Sequence, residues 1–227
     1  MIGIMGAMIE EIEPILARLE SVQTKTIGNN QYHTGVFQGR QVVVAYSRIG
    51  KVNAAVTACV MLHIFGVTKL LFTGVAGAIS GDLKIGDLIY ATKLCQHDVD
   101  ITAFGHAIGH IPETDDFFTS DDELNALAIA TAKELGVKLG SGVIATGDQF
   151  IASNDKKEWI AKVFDADAVE MEGASVACVC ATFGARFFVL RAISDQADMD
   201  AGFNFDEFLK SSAEISAKFM LSMIAKL

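Results

Sequence analysis

Proline is nearly absent from this sequence: its 227 residues include only 2, Pro14 and Pro112. With no proline-rich or low-complexity stretch either, the chain does not read as disordered or as a linker. Positive charge is also scarce. Lysine and arginine number 18 against 28 acidic residues, a formal net charge of −10, and the basic residues are scattered. That balance argues against nucleic acid as a partner, because a phosphate backbone would be repelled. The 4 cysteines, Cys59, Cys95, Cys178 and Cys180, show no metal-ligand spacing. Cys178 and Cys180 stand two apart in an Ala-rich helical stretch, where such neighbours face different ways. They read as small buried hydrophobes in a reducing compartment. No signal peptide precedes the first strand, which starts at Met1, so a cytoplasmic protein is expected. The longest uncharged run, Val52 to Thr68, contains Asn53, His63 and Gly66. It falls short of the roughly 18 apolar residues of a membrane span and reads as a buried helix.

What the chain does have is apolar residues, 51% of the total, enough for a sizeable core in one domain spanning 1–227. Strands are expected at 1–6, 31–37, 41–46, 69–72, 87–95, 141–146, 168–171 and 187–193, where short apolar runs end in turn residues. Gly39-Arg40 marks a hairpin between the second and third. Helices are expected at 10–19, 53–65, 121–135, 154–163, 174–183 and 205–227, several closed by glycine. This alternation predicts an α/β three-layer sandwich, with a mixed, mostly parallel, twisted sheet flanked by helices. In such sheets ligands gather beyond the carboxyl ends of strands.

Four strand ends carry candidates. After the first come Glu10, Glu11 and Glu13, acids that suit the first turn of a helix whatever else they do. Gly74-Val75-Ala76-Gly77 reads as a glycine turn, allowing close backbone approach or simply a tight bend. Neither a GK[ST] phosphate loop nor a G-x-G-x-x-G fingerprint is present. Glu170 and Glu172, flanked by Ala168, Val169 and Ala174, would share a side if extended. Buried carboxylates are costly unless paired, hydrogen-bonded or ligand-bound, and two vicinal ribose hydroxyls would satisfy one of them. The histidines at 33, 63, 97, 106 and 110 form no ligand pattern, so no metal or other cofactor is expected. Asp195, behind Arg191 and Ser194, reads either as a cap or ion-pair partner or as a general acid with raised proton affinity.

In order, Ile2-Gly3-Ile4-Met5-Gly6-Ala7-Met8, Ile49-Gly50-Lys51-Val52, Thr73-Gly74-x-Ala76-Gly77, Gly147-Asp148-x-Phe150, Val169-Glu170-Met171-Glu172, Arg191-Ala192-Ile193-Ser194-Asp195 and Phe205-Asp206-Glu207-Phe208-Leu209 form a specific set. The chain resembles, nearly end to end, the 5′-methylthioadenosine/S-adenosylhomocysteine nucleosidases of the purine nucleoside phosphorylase and uridine phosphorylase superfamily. The resemblance implies a nucleoside phosphorylase-like fold, a homodimer, and hydrolysis of an N-glycosidic bond in small-molecule adenine nucleosides without a cofactor. It implies that Glu11 activates water, that Glu172 and Met171 hold the ribose hydroxyls, and that Arg191 orders the water and carboxylates. Asp195, steadied by Ser194, would protonate adenine N7, with Phe150 stacked on the base and the Ile151 backbone reading its edge. Met8, Ile49 and Phe205 would line the ribose and 5′ pocket, with Val75, Ala76, Gly77 and Glu170 among the binding residues. Phe104, His106 and Pro112 would help close that pocket, partly across a dimer interface.

An acid at N7 relieves negative charge on the leaving base, and carboxylates near the ribose match positive charge on the sugar. Phosphorolytic relatives carry basic residues where this chain has Glu10-Glu11 and Thr73, which favours water over phosphate. Val75 departs from the serine of many nucleosidases. Gln96-His97-Asp98-Val99-Asp100, Ile111-Pro112-Glu113 and Gly173-Ala174-Ser175 resemble the epsilonproteobacterial branch. That likeness implies cleavage of 6-amino-6-deoxyfutalosine in a menaquinone route beside methionine salvage. A phosphate-dependent phosphorylase, a non-catalytic nucleoside-binding protein and a metal hydrolase remain the alternatives.

Overall fold

The computed structural model describes residues 1–198 and 201–227, apart from the side chains of 203–207. Among the described residues, eleven strands form one mixed sheet. In chain order the elements are β1 (Ile2–Gly6), α1 (Ile9–Leu16), β2 (Glu20–Ile27), β3 (Asn30–Phe37), β4 (Arg40–Tyr46), α2 (Lys51–Phe65), β5 (Lys69–Phe72) and β6 (Val75–Ala78). They continue through β7 (Leu88–Gln96), a 3₁₀ turn at Thr102–Phe104, β8 (Phe118–Thr119), α3 (Asp122–Leu135), β9 (Leu139–Thr146), α4 (Asn154–Phe164), β10 (Ala168–Glu170), α5 (Gly173–Phe183), β11 (Arg186–Asp195) and α6 (Ala201–Ile224).

Strand order is β2-β3-β4-β1-β5-β11-β6-β10-β9-β7-β8, with a further β11–β7 pairing. That extra pairing departs from the expected open sheet, since β11, β6, β10, β9 and β7 close into a ring. Parallel and antiparallel pairings are nearly balanced, so the sheet is mixed rather than mostly parallel. Ring closure rests on the length of β11. Its first half, Arg186 to Val189, runs parallel to β5, while Ala192 to Asp195 runs parallel to β6 and Leu190 to Ala192 antiparallel to β7. The glycine segment expected to be a turn is thus the strand β6. Its register against β11 shifts between Ile193 and Asp195, a bulge that turns the end of β11.

Helices pack on both faces. Phe187, Val189 and Ile193 of β11 join residues of α2 and α5 in one core cluster, whereas Phe188, Leu190 and Ala192 join α1, α3 and α6 in another. A strand buried on both sides reads as a continuous apolar run, which is how β11 showed in the sequence. Polar β2, almost wholly exposed at the sheet edge, has no such run and was not expected. Its signal was Gly28-Asn29, the two-residue loop that joins it to β3. The expected buried helix over the uncharged run is α2, but it shows an apolar stripe to solvent: Val52 is 73% exposed, Val56 58% and Ile64 50%. Among the described residues, no helix is long and apolar enough to cross a membrane.

Candidate active site

The ends of β1, β5, β10 and β11 converge on one pocket. Met8, Glu11, Ile49, Val75, Ala76, Gly77, Phe150, Ile151, Glu170, Met171, Glu172, Arg191, Ser194 and Asp195 all line it, and so do Ala7, Gly74, Gln149 and Val169, which sequence reasoning left out. Ala7, Gly74 and Val169 stand inside the quoted motifs and Gln149 fills the open position of Gly147-Asp148-x-Phe150, and that placement was the available signal. Phe104, His106 and Pro112 are exposed and do not line the pocket of this single chain. The side chain of Phe205 lies outside the described residues.

Glu11 occupies the third position of α1 and folds back over the helix start. Its Oε2 accepts from the backbone N–H of Ala7 at 2.6 Å and of Met8 at 3.0 Å. The sequence offered a dipole role and a chemical one, and the geometry is compatible with both, since the carboxylate also faces the pocket. Burial raises its pKa, against the pull of nearby Arg191 and the backbone donors. Glycine at 74 is required by close approach: a Cβ there would lie 3.0 Å from Glu11 Oε1 and 3.2 Å from Arg191 Nη1.

Glu170 and Glu172 are not an extended pair. The chain leaves β10 after Glu170, and Glu172 caps α5 with φ −138° and ψ −36°. Glu170 is saturated. It binds Arg191 Nη2 at 2.6 Å, accepts from the N–H groups of Glu172 and Gly173, and takes the Thr146 hydroxyl. Arg191, 1% exposed and 4.1 Å above the Phe72 ring, is thereby neutralised. Among the described residues, the Glu172 carboxylate has one donor, the Gly50 N–H at 2.9 Å. Burial first, then the charge of Glu170, pushes its pKa up to about 8.

Asp195 sits at the bulged end of β11. Its Oδ1 accepts from the Ala197 N–H and its Oδ2 from the Ser194 hydroxyl, both at 2.8 Å. Burial raises its pKa despite these donors. A Cβ on Gly77 would come within 2.7 Å of Oδ1, so the glycine of β6 makes room for the acid. Among the described residues, no cluster of three or more His, Cys, Asp or Glu could hold a metal.

Buried carboxylates around an apolar pocket, beyond the strand ends of a mixed sheet, define a small-molecule site of an α/β enzyme. Residues 1–225 match the phosphorylase superfamily. The chain is 52% identical to the aminodeoxyfutalosine nucleosidase of Campylobacter jejuni over 226 residues, covering 100% of this chain and 99% of the relative. It is 42% identical to a 5′-methylthioadenosine/S-adenosylhomocysteine nucleosidase of Actinobacillus succinogenes, covering 100% and 99%. In three dimensions it is similar to the Helicobacter pylori nucleosidase of that name, solved with butyl-thio-DADMe-Immucillin-A, at a TM-score of 0.97 and 52% identity over 100% and 98% of the two chains. The chain belongs to the phosphorylase superfamily and, within it, to the nucleosidases named for 5′-methylthioadenosine, S-adenosylhomocysteine and aminodeoxyfutalosine.

Proposed function

We propose that this chain hydrolyses the N-glycosidic bond of 5′-methylthioadenosine, S-adenosylhomocysteine and 6-amino-6-deoxyfutalosine, releasing adenine and the 5′-modified ribose. One observation carries water over phosphate. Among the described residues lining the pocket, Arg191 is the sole basic one, and Glu170 already holds its guanidinium. Among the described residues, a phosphate dianion would have to sit beside Glu11 and Glu170 with no cation left unpaired, at an electrostatic cost.

In this reading Glu172 accepts the ribose hydroxyls while Phe150 stacks on adenine and Met8 and Ile49 pack on the sugar side. Water attacks C1′ as Glu11 takes its proton. The C1′–N9 bond breaks with its electron pair going to the base, and Asp195 supplies the proton that N7 receives. Raised proton affinity suits both groups, since it keeps a proton on Asp195 and strengthens Glu11 as a base. Developing positive charge on the sugar meets the Glu11 carboxylate, and Ser194 steadies the acid.

The chain further reads as one cytoplasmic domain acting as a homodimer, in methionine salvage and a menaquinone route. The exposed α2 stripe and Phe104, 82% exposed, support a second copy that covers these apolar residues and brings Phe104, His106 and Pro112 to the pocket. The decisive assay is adenine release from the three substrates in phosphate-free buffer with a chelator. Release of all three is expected. Intact substrate after long incubation would indicate a binding protein, a phosphate requirement a phosphorylase, and chelator sensitivity a metal enzyme.

A further inference from the structure

Beside the pocket, Lys51, Asp98 and Asp148 close a hydrogen-bonded ring, with Gln96 as a branch, and none of the four lines the pocket. Lys51 Nζ donates to Asp98 Oδ1 at 2.7 Å and to Gln96 Oε1 at 3.1 Å. The other oxygen of Asp98 accepts from the Asp148 N–H at 2.8 Å, and Asp148 Oδ1 accepts from the Lys51 N–H at 2.7 Å. Three separate segments are thereby tied: the end of β7, the start of α2 and the loop after β9. Two of these segments run directly into the pocket. Gly50, next to Lys51, gives its N–H to Glu172, and Asp148 directly precedes Gln149, Phe150 and Ile151 of the lining.

We propose that Asp98, acting through Lys51 and Asp148, is a positioning residue that sets the distance and angle between the 149–151 segment and the Glu172 carboxylate. The inference rests on the function proposed above.

Local helix preferences do not account for the ring. Gly50 caps α2 with no side chain, the first turn holds no acid, and Lys51 puts a cation at the positive end of the helix dipole. Asp148 supplies the missing cap from 97 residues away, and Asp98 supplies the charge that makes Lys51 tolerable there. Gly50 itself is required, because its φ is 99° and a Cβ would stand 3.1 Å from Asp148 Oδ1. Asp98 and Lys51 are 12% and 18% exposed, so their ion pair is partly sheltered from solvent screening. Loss of one partner leaves the other uncompensated and frees both rim segments. Neither residue meets substrate, so the effect falls on how base and ribose are held together.

Asp98→Asn keeps the shape and an acceptor for Asp148 but removes the charge facing Lys51. Lys51→Met keeps the alkyl stem and serves as the second variant should the first not fold. With methylthioadenosine, either variant should raise KM roughly tenfold while kcat changes less than about threefold, and the double variant should lose no more than the worse single one. A merely structural tie would instead lower the active fraction, cutting kcat at unchanged KM. That result, a KM within twofold of the unaltered chain, or additive losses would overturn the proposal. Adenine release by the unaltered chain is the separate test of the function. Were it absent, affinity for formycin A, whose C-glycosidic bond resists hydrolysis, would read the same tenfold difference.

Discussion

Glu11, Glu172 and Asp195 share a physical state: each is buried and holds its proton more tightly than an ordinary carboxyl. Asp195→Asn removes the transferable proton with little change of shape. Adenine release should fall roughly 10²–10⁴-fold in kcat with an unchanged circular-dichroism spectrum, and near-native turnover would refute the acid role. Glu172 gives a prediction on stability. With its carboxyl at about 8 when folded, against 4.5 ordinarily, the folded chain binds more protons than the unfolded one between these pH values. Stability therefore falls as pH rises through that window, by up to about 1.4 kcal/mol per pH unit for one group. Glu172→Gln removes this share, so its urea-unfolding free energy should drop less from pH 5 to pH 8 than that of the unaltered chain. Equal drops would refute it. The sequence put Glu170 and Glu172 forward as a pair and could not rank them. Only the turn of the chain after β10 separates a carboxylate consumed by Arg191 from one left facing the pocket.

At the scale of elements, helix ends were the most legible feature. Asp121 before α3 and Gly136 after it behave as expected, with Asp121 Oδ1 accepting from the Leu124 N–H at 2.9 Å. The same carboxylate also forks onto Arg186 at 2.6 and 2.7 Å, pinning α3 to the start of β11. Asp121→Ala loses cap and fork together and should destabilise the fold by about 1–3 kcal/mol in urea unfolding, with kcat/KM unchanged. A loss within error would show that solvent replaces both. Three strands were not legible. β2 pairs through its backbone with an exposed polar surface, β6 is four small residues long and β8 only two, so none carries an apolar period. Each exists because a neighbour, β3, β11 or β7, offers an unpaired edge.

The whole molecule adds what no single element contains. Its α2 stripe and exposed Phe104 predict a homodimer near twice 24.3 kDa in sedimentation velocity. Val56→Asp should place a charge in that contact, shift the protein to the monomer mass and raise KM through loss of Phe104 from the neighbouring pocket. A chain that sediments as a monomer from the outset, or a variant still dimeric, would remove this reading.

The sequence by itself determined the alternation of strands and helices, the strand ends where chemistry gathers, and nearly every residue lining the pocket. The elements are local properties, carried by periods of two or 3.6 residues, and the pocket residues came from the ordered motifs of the family resemblance. Tertiary structure decided the closure of five strands into a ring, the division of labour between Glu170 and Glu172, and the link from Asp98 to the rim. Those outcomes rest on partners such as Gly50 and Glu172, 122 residues apart, or Asp98 and Asp148, 50 apart. No local pattern encodes such pairings, because they form only when burial excludes water and leaves each polar group to find another.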